Sequence, residues 1–458
     1  MNITELVSQQ RNFFNSNKTL DVPFRIEQLK KLELLLRANE DLFAKAIYAD
    51  LKKSRYDMLT TELSLVLGEL SLAVKKLPAW SNKQRVPTNL VNLPARSYHL
   101  ASPYGVTYIA GAWNYPIQLT LLPLVSAMAA GNTAVVKPSE LAPQTSSALE
   151  KIINENFPSE YIQVVEGGAE TAQEILKQKF DYIFFTGGTR IGRIVYEAAA
   201  RHVTPVTLEL GGKSPVFILP DCNLAVTAKR LVWGKFLNAG QTCIAPDYLL
   251  VHSSIKDKLL QEMVKIITHH FSTEQITENY TAIINDRHFE RLQKLIIPEK
   301  IYFGGTTNPH ERFISPTILH NITVDDEVMK EEIFGPILPV LTFHSLDEAI
   351  EKVKSFERPL ALYVYGKNSS AVKKIFRELS FGGGSLNDSV MYFGNPNLPA
   401  GGVGASGIGS YHGKKGFETF SHYKSILEKS AWIEFWFLKT PPYKKWKLKL
   451  LRFLLENF

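Results

Sequence analysis

Between Gly105 and Arg201 short apolar runs alternate with stretches of helical length, and this rhythm restricts the fold more than any other property of the chain. Gly105–Ala110 (GVTYIA) predicts a strand, Ile117–Ala130 a helix stopped by Gly131, and Thr133–Val136 a second strand that breaks at Lys137-Pro138. Ser146–Asn156 reads as a helix, Tyr161–Val165 as a strand and Thr171–Lys179 as a helix. Asp181–Phe185 is then a strand running into Thr186-Gly187-Gly188-Thr189-Arg190-Ile191-Gly192, followed by a helix over Ile194–Arg201. Strands spaced by helices of about 10–15 residues pair in parallel through right-handed crossovers, so the expected class is α/β with a doubly wound sheet. The rhythm shifts at Glu209-Leu210-Gly211-Gly212-Lys213. A second α/β unit runs from about Ser214 to Asn387, with strands at Pro215–Ile218, Tyr248–Val251, Ile337–Leu341 and Leu360–Tyr365. A chain of 458 residues holds two or three domains at about 150 residues each.

The flanks differ. The first 77 residues read as helices, with Leu29, Leu32 and Leu36 and then Leu63, Val66, Leu67, Leu70 and Val74 at helical spacing, until Pro78 and Pro87 interrupt. Leu90–Leu100 alternates weakly as an extended segment. Gly401–Gly416 carries seven glycines and no helical or strand period, which predicts an ordered loop.

Hydrophobic residues make up 45% of the chain and charged ones 21%, enough apolar material for a large core. That excludes a mostly disordered chain or a collagen-like repeat. Cys222 and Cys243 are the only cysteines, which excludes a disulfide framework and points to a reduced, intracellular setting. Met1–Lys18 lacks the apolar stretch of a secretory signal, and no run of about 20 apolar residues predicts a membrane span. The histidines show no metal-ligand spacing, so no metal is expected. No recognition motif accompanies the net charge of +7, so nucleic acid is not an expected partner. Much of that charge lies in 431–458, where six basic residues face Glu434 and Glu456, leaving +3 for the rest. The same tail holds Trp432, Trp436 and Trp446, and its lysines interleave with Leu448, Leu451 and Leu455. That pattern describes a basic amphipathic helix, which suits a membrane surface or packing on the body or a partner copy.

Cys243 follows the polar, glycine-containing approach Leu237-Asn238-Ala239-Gly240-Gln241-Thr242, so it is either a buried small side chain or a nucleophile. A nucleophilic thiol needs a lowered pKa, an oxyanion donor and a means of resolving the covalent intermediate. Glu209 ends an apolar run, where burial raises a carboxyl towards general-base range. Asn114, in Trp113-Asn114-Tyr115-Pro116, follows a strand, where its amide N–H can meet an oxyanion. Gly187 and Gly192 at the strand-to-helix turn let backbone N–H groups approach a pyrophosphate, although the spacing is not the three-glycine fingerprint. Lys137 and Glu140 follow a strand's carboxyl end, where they either hold a ribose or sit in a solvated loop.

In their order these stretches resemble the aldehyde dehydrogenase superfamily, most closely its class 3 type. The similarity is carried by Trp113–Pro116, Lys137–Glu140, Phe185–Gly192, Leu208–Lys213 and Asn238–Tyr248. Glu331–Pro336, Gly401–Gly404 with Ser406-Gly407, and Tyr411–His422 complete it, so it spans roughly residues 1–430.

The resemblance implies two doubly wound Rossmann-like domains plus a small β oligomerisation extension. Residues 1–77 and 103–208 would bind NAD(P), 209–411 would be catalytic, 78–102 and 412–430 would bridge subunits of a homodimer, and 431–458 would be the tail. It implies that hydrophobic aldehydes are oxidised to acids with NAD or NADP in the cytoplasm, peripheral to a membrane if the tail lies on one. Cys243 would attack the carbonyl, Asn114 would hold the oxyanion and Glu209 would activate water. Glu332 would hold the nicotinamide ribose, with Phe334 near the nicotinamide. Lys137 and Glu140 would take the adenosine ribose, and Gly187 and Gly192 the pyrophosphate. Three departures concern cofactor and substrate choice: Arg190 within the turn, Ala400 where phenylalanine is usual, and Tyr392-Phe393-Gly394-Asn395-Pro396. An acylating reductase of the same fold and a catalytically silent structural or membrane-surface homologue are the alternatives.

Overall fold

The computed structural model describes residues 2–271 and 279–456; positions 272–278 of the expected catalytic unit, Met1 and the last two tail residues lie outside the described residues. The N-terminal helices are α1 (Ile3–Asn15), α2 (Val22–Ala38), α3 (Glu40–Leu51), α4 (Arg55–Met58) and α5 (Ser64–Trp80), with a π-helical turn at Leu59–Leu63. Their starts are written locally: the Asn2 side chain accepts from the Thr4 and Glu5 N–H groups, and Asp21 accepts from that of Phe24. Pro78 does not stop α5, which continues to Trp80 because Trp80 and Leu77 are buried there.

In chain order the strands are β1 (Gln84–Val86), β2 (Ala95–Pro103), β3 (Val106–Ala110), β4 (Thr133–Lys137), β5 (Ile162–Val164), β6 (Tyr182–Thr186) and β7 (Val206–Glu209). They continue with β8 (Pro215–Ile218), β9 (Tyr248–His252), β10 (Ile301–Phe303), β11 (Thr307–Asn308), β12 (Phe313–Ile314) and β13 (Thr317–Leu319). The last are β14 (Ile337–Phe343), β15 (Ala361–Tyr365), β16 (Gly383–Leu386), β17 (Gly407–Ile408) and β18 (Ser421–Lys429).

A six-stranded sheet has the order β17-β7-β6-β3-β4-β5, parallel except for β17. Helices α6 (Gln118–Ala130), α7 (Pro143–Asn154), α8 (Ala169–Leu176) and α9 (Thr189–Ala200) connect its strands. Every residue of β3, β4 and β6 is buried, which is why they read as continuous apolar runs without alternation. Helix α6 is buried on all sides and ends at Gly131, whose φ of 97° and contact with the Thr19 carbonyl exclude a side chain. From β3 the chain winds to β4 and β5, then crosses back to β6 and β7. The crevice beyond the carboxyl ends of β3 and β6 is therefore a topological switch point.

The seven-stranded sheet, β10-β13-β14-β9-β8-β15-β16, is parallel apart from its β10 edge. Helix α10 (Leu224–Phe236) links β8 to β9, and α11 (Lys256–His270) follows β9 and packs on α10. The small sheet β1-β2-β18 is antiparallel, with Ser421–Lys429 registered on Pro103–Ala95 and β18 at the edge.

Several local expectations shift. Gly401–Gly416 is not wholly loop: β17 adds to β7, and a helix over Gly413–Thr419 begins there. Both depend on tertiary contact, since β17 is only two residues long and Gly416 is glycine because Ser126 of α6 stands where its side chain would be. The 412–430 segment is helical over Gly413–Thr419 and becomes strand β18 at Ser421. The helix expected at Ile194 starts at Thr189, and Leu90–Asn92 is a 3-10 turn ahead of β2.

Asn132 joins three elements. It accepts from the Gly105 N–H at 2.9 Å and donates to the carbonyls of Ala127 at 3.2 Å and Phe420 at 2.9 Å, fully buried. Asn132→Ala leaves those groups unsatisfied, and the expected loss is about 2–3 kcal/mol. A lowered urea midpoint at unchanged m-value checks it.

Candidate active site

The turn that carries Cys243 is held in an uncommon backbone shape. Asn238, Ala239 and Gly240 take φ values of 55°, 51° and 71° in succession, so three neighbours lie in the left-handed region. A side chain on Gly240 would stand 2.2 Å from the Gly335 carbonyl oxygen. Side-chain amides hold the turn. Asn238 Nδ2 donates to the carbonyls of Gln241 and Asn114, each at 3.0 Å. Gln241 Nε2 donates to Asn238 and Ala282, and its Oε1 accepts from the Ile284 N–H at 3.1 Å.

Asn114 lies in the loop between β3 and α6, at the switch point. Its Nδ2 donates to the Gln241 carbonyl at 3.1 Å, and the Tyr115 hydroxyl meets Thr242 Oγ1 at 2.6 Å. The first sheet therefore grips the residues immediately before Cys243. Glu209 ends β7, and its neighbour Gly211 lies against Glu332: a side chain on Gly211 would sit 1.9 Å from the Glu332 carboxylate. Residues spread over the sequence thus converge near Cys243: Glu209 and Glu332 act on its thiol electrostatically, and Asn114 is bonded two residues before it.

Its electrostatics are set by burial. Desolvation pushes the Glu209 carboxyl up to about 8, and its buried Oε1 has no hydrogen-bond partner. Glu332 is also pushed up to about 8, by burial and then by Asp247, against the Gly212 N–H, Lys213 and Arg291. Burial first, then Glu332 and Glu209, push the Cys243 thiol up to about 12, although the Cys243 and Ile244 backbone N–H groups oppose this. Burial, with smaller contributions from Glu332 and Glu209, therefore raises the thiol where a nucleophile is expected to have it lowered.

On the cofactor side Gly187 occupies the turn after β6, its N–H donating to the Glu209 carbonyl at 3.0 Å. Gly192 lies inside α9 rather than on the turn, and a side chain there would meet Leu210 at 2.6 Å, so it lets helix and strand approach. Gly188, which the spacing argument passed over, caps α9 with open space before it. Arg190 is exposed. Lys137 ends β4 and donates to Glu140 at 2.9 Å and to the Pro138 carbonyl at 3.2 Å. The Phe334 ring meets Trp113 edge-on at 5.3 Å. Lys213 holds the loop of Glu332 and Phe334 by donating to Asp247 and to the carbonyls of Val328 and Glu331. Arg291 donates to the Ile333 carbonyl. Fully buried Lys235, with a pKa lowered by burial to about 8, lies near Asp247, Lys213 and Glu332. Lys213 and Asp247 lie inside the family motifs without an assigned role, and Lys235 and Arg291 lie outside them, where a lysine within a largely apolar helix marks Lys235. Ala400 is buried and pairs with Tyr411.

These residues fit a dinucleotide. The open Gly188 turn at the start of α9 suits phosphate, and Thr186 Oγ1 is buried beside it without a partner. Among the described residues no three His, Cys, Asp or Glu side chains gather as a metal site.

The model of the aldehyde dehydrogenase family matches residues 1–426, so the chain belongs to that family. Its relatives are of the class 3 type. The 4,4'-diaponeurosporen-aldehyde dehydrogenase of Staphylococcus aureus is 44% identical over 461 aligned positions, covering 100% of both chains. The dimeric NADP-preferring aldehyde dehydrogenase of Mus musculus is 43% identical over 430, covering 94% of this chain and 95% of its own. The solved structure of substrate-bound Staphylococcus aureus AldH superimposes with a TM-score of 0.97 at 44% identity, over 99% of this chain and 100% of that one. This chain is an NAD(P)-dependent aldehyde dehydrogenase that oxidises aldehydes to carboxylic acids.

Because Glu209 titrates near 8 when folded and at 4.5 ordinarily, its contribution to stability is full below about pH 4.5 and lost as pH rises through about 8. Glu209→Gln removes that loss. Its thermal midpoint is expected to gain on the unsubstituted protein as pH rises across this window; parallel curves would contradict the assignment.

Proposed function

We propose that Cys243, Asn114 and Glu209 carry the oxidation and that water is the acyl acceptor. The observation that supports this best is Glu209: a buried carboxyl pushed up to about 8, with an oxygen that has no hydrogen-bond partner and a charge that acts on the Cys243 thiol. In this reading the Cys243 thiol passes its proton to Glu209 and on to solvent, and the sulfur attacks the aldehyde carbon, forming an S–C bond as the carbonyl pair moves to oxygen. The Asn114 amide and the Cys243 backbone N–H donate to that oxyanion. NAD or NADP, when bound, supplies the acceptor for hydride from the same carbon. The acyl group left on Cys243 is a thioester. Glu209 takes a proton from water, whose oxygen attacks the thioester carbon and expels the thiolate with the acid. An acylating reductase needs no such base, and a silent homologue needs none of the three groups.

The Gly187-Gly188 turn and the start of α9 would take the pyrophosphate, with Gly192 allowing α9 to sit close. Lys137 and Glu140 would take the adenosine ribose, Glu332 the nicotinamide ribose, and Phe334 would face the ring. The six-stranded sheet would then be the cofactor domain and the seven-stranded sheet the catalytic domain. Cys243 and Tyr392 pack against the apolar cluster that contains Tyr363, surroundings that favour hydrophobic aldehydes. The open edge of β18 suits a homodimer, and one relative is named as dimeric.

Cys243→Ala is expected to lower aldehyde oxidation by at least about 10³-fold and to abolish any esterase activity while circular dichroism stays unchanged. Oxidation of every aldehyde surviving that change would overturn the reading.

We also infer that this cytoplasmic enzyme sits at a membrane surface through its tail. Among the described residues no helix is long and apolar enough to cross a membrane. The helix Lys445–Glu456 buries no residue, and Trp432 is 95% and Trp436 69% exposed. Aromatic and basic side chains displayed together favour an anionic interface. Full-length protein should co-sediment with phosphatidylglycerol vesicles in a salt-sensitive manner, and a chain ending at 430 should not. Equal, negligible binding by both would overturn it.

A further inference from the structure

Lys53 and Glu62 form an ion pair at 2.7 Å, 1% and 0% exposed, more deeply buried than any other among the described residues. Nothing in the reaction above uses either charge. Glu62 is turned inward from the π-helical turn at Leu59–Leu63, a rare geometry that recurs at functional sites. Its Oε1 accepts from Lys53, and its Oε2 accepts from the N–H groups of Ile117 at 2.9 Å and Gln118 at 3.3 Å, the start of α6. Lys53 Nζ also donates to the main-chain carbonyl of Asn114 at 3.1 Å and lies 4.1 Å from the centroid of the Tyr115 ring.

Capping α6 alone needs no buried charge, since a neutral Ser, Thr or Asn does that. A hydrophobic pair of the same volume would also suit stability as well or better. What the ion pair adds is a grip on the two residues whose side chains reach the nucleophile's turn. One is Asn114, through its carbonyl; the other is Tyr115, whose hydroxyl holds Thr242 beside Cys243.

We propose that Lys53 and Glu62 are positioning residues that clamp the Asn114-Tyr115 main chain, keeping the Asn114 amide aimed at the oxyanion. This rests on the reading of Asn114 as the oxyanion donor.

The test is a cycle in the full-length enzyme, with Lys53→Met plus Glu62→Gln, which removes both charges together, with Asn114→Ala, and with all three. The readouts are the single-turnover rate of NADH formation at saturating NAD and aldehyde, and the Kd for NAD from fluorescence quenching. The paired change is expected to slow NADH formation by about 10- to 100-fold, with Kd moved by less than about two-fold. In the Asn114→Ala background it should cost less than about three-fold more, because the clamp then has nothing to position. A rate unaffected by the paired change, or losses that multiply with those of Asn114→Ala, would overturn the clamp. Full activity in Asn114→Ala alone would remove the oxyanion reading and the clamp with it. If the paired variant does not fold, Glu62→Gln, which keeps an amide oxygen for the α6 N–H groups, carries the same cycle.

Discussion

Buried amide hydrogen bonds between two sheets are what the active site depends on. Asn114 follows a strand of the first sheet, and Cys243 precedes a strand of the second. Gln241 is the joint: its carbonyl accepts from Asn114 and Asn238, while its side chain bonds to Asn238, Ala282 and Ile284. Polar groups at that depth are costly unless paired, so few arrangements of the two sheets satisfy them. The same bonds hold three successive residues in the left-handed region, a shape that would relax if its surroundings did not over-determine it.

The second constraint is electrostatic. Glu209 and Glu332 are both buried against the thiol, and each carboxyl is pushed up to about 8. Neutral carboxyls are the least costly occupants of such a space, and burial is also the main reason that the Cys243 thiol is raised. Cations sit one layer further out. Lys213 and Arg291 fasten the loop of Glu332 and Phe334 by its carbonyls, and Lys53 fastens the opposite wall at Asn114. Both walls are thus held in part through their main chain.

Much of this was legible in the residues. Strands β3, β4 and β6 read as apolar runs because parallel strands are buried on both faces, and Gly131 marked the end of α6. Cys243, Glu209 and Asn114 stood out by residue type and local setting, and the ordered motifs identified the family. Less visible were features that depend on distant contact. Gly192 resembles a turn glycine until Leu210 is seen against it, and Gly188 looks ordinary until the space before it is seen to be open. β17 has two residues and no period, and exists because β7 offers it a free edge.

The chain by itself determined the α/β class, the order of the elements, the candidate reacting groups and the basic, aromatic character of the tail, because periodicity, glycine placement and side-chain chemistry are local properties. Only the tertiary structure decided which charges stand near one another. The raised carboxyls, the raised thiol, the clamp of Lys53 and Glu62 on Asn114 and the exposed tail helix all arise from burial and distance, and no spacing along the chain encodes either.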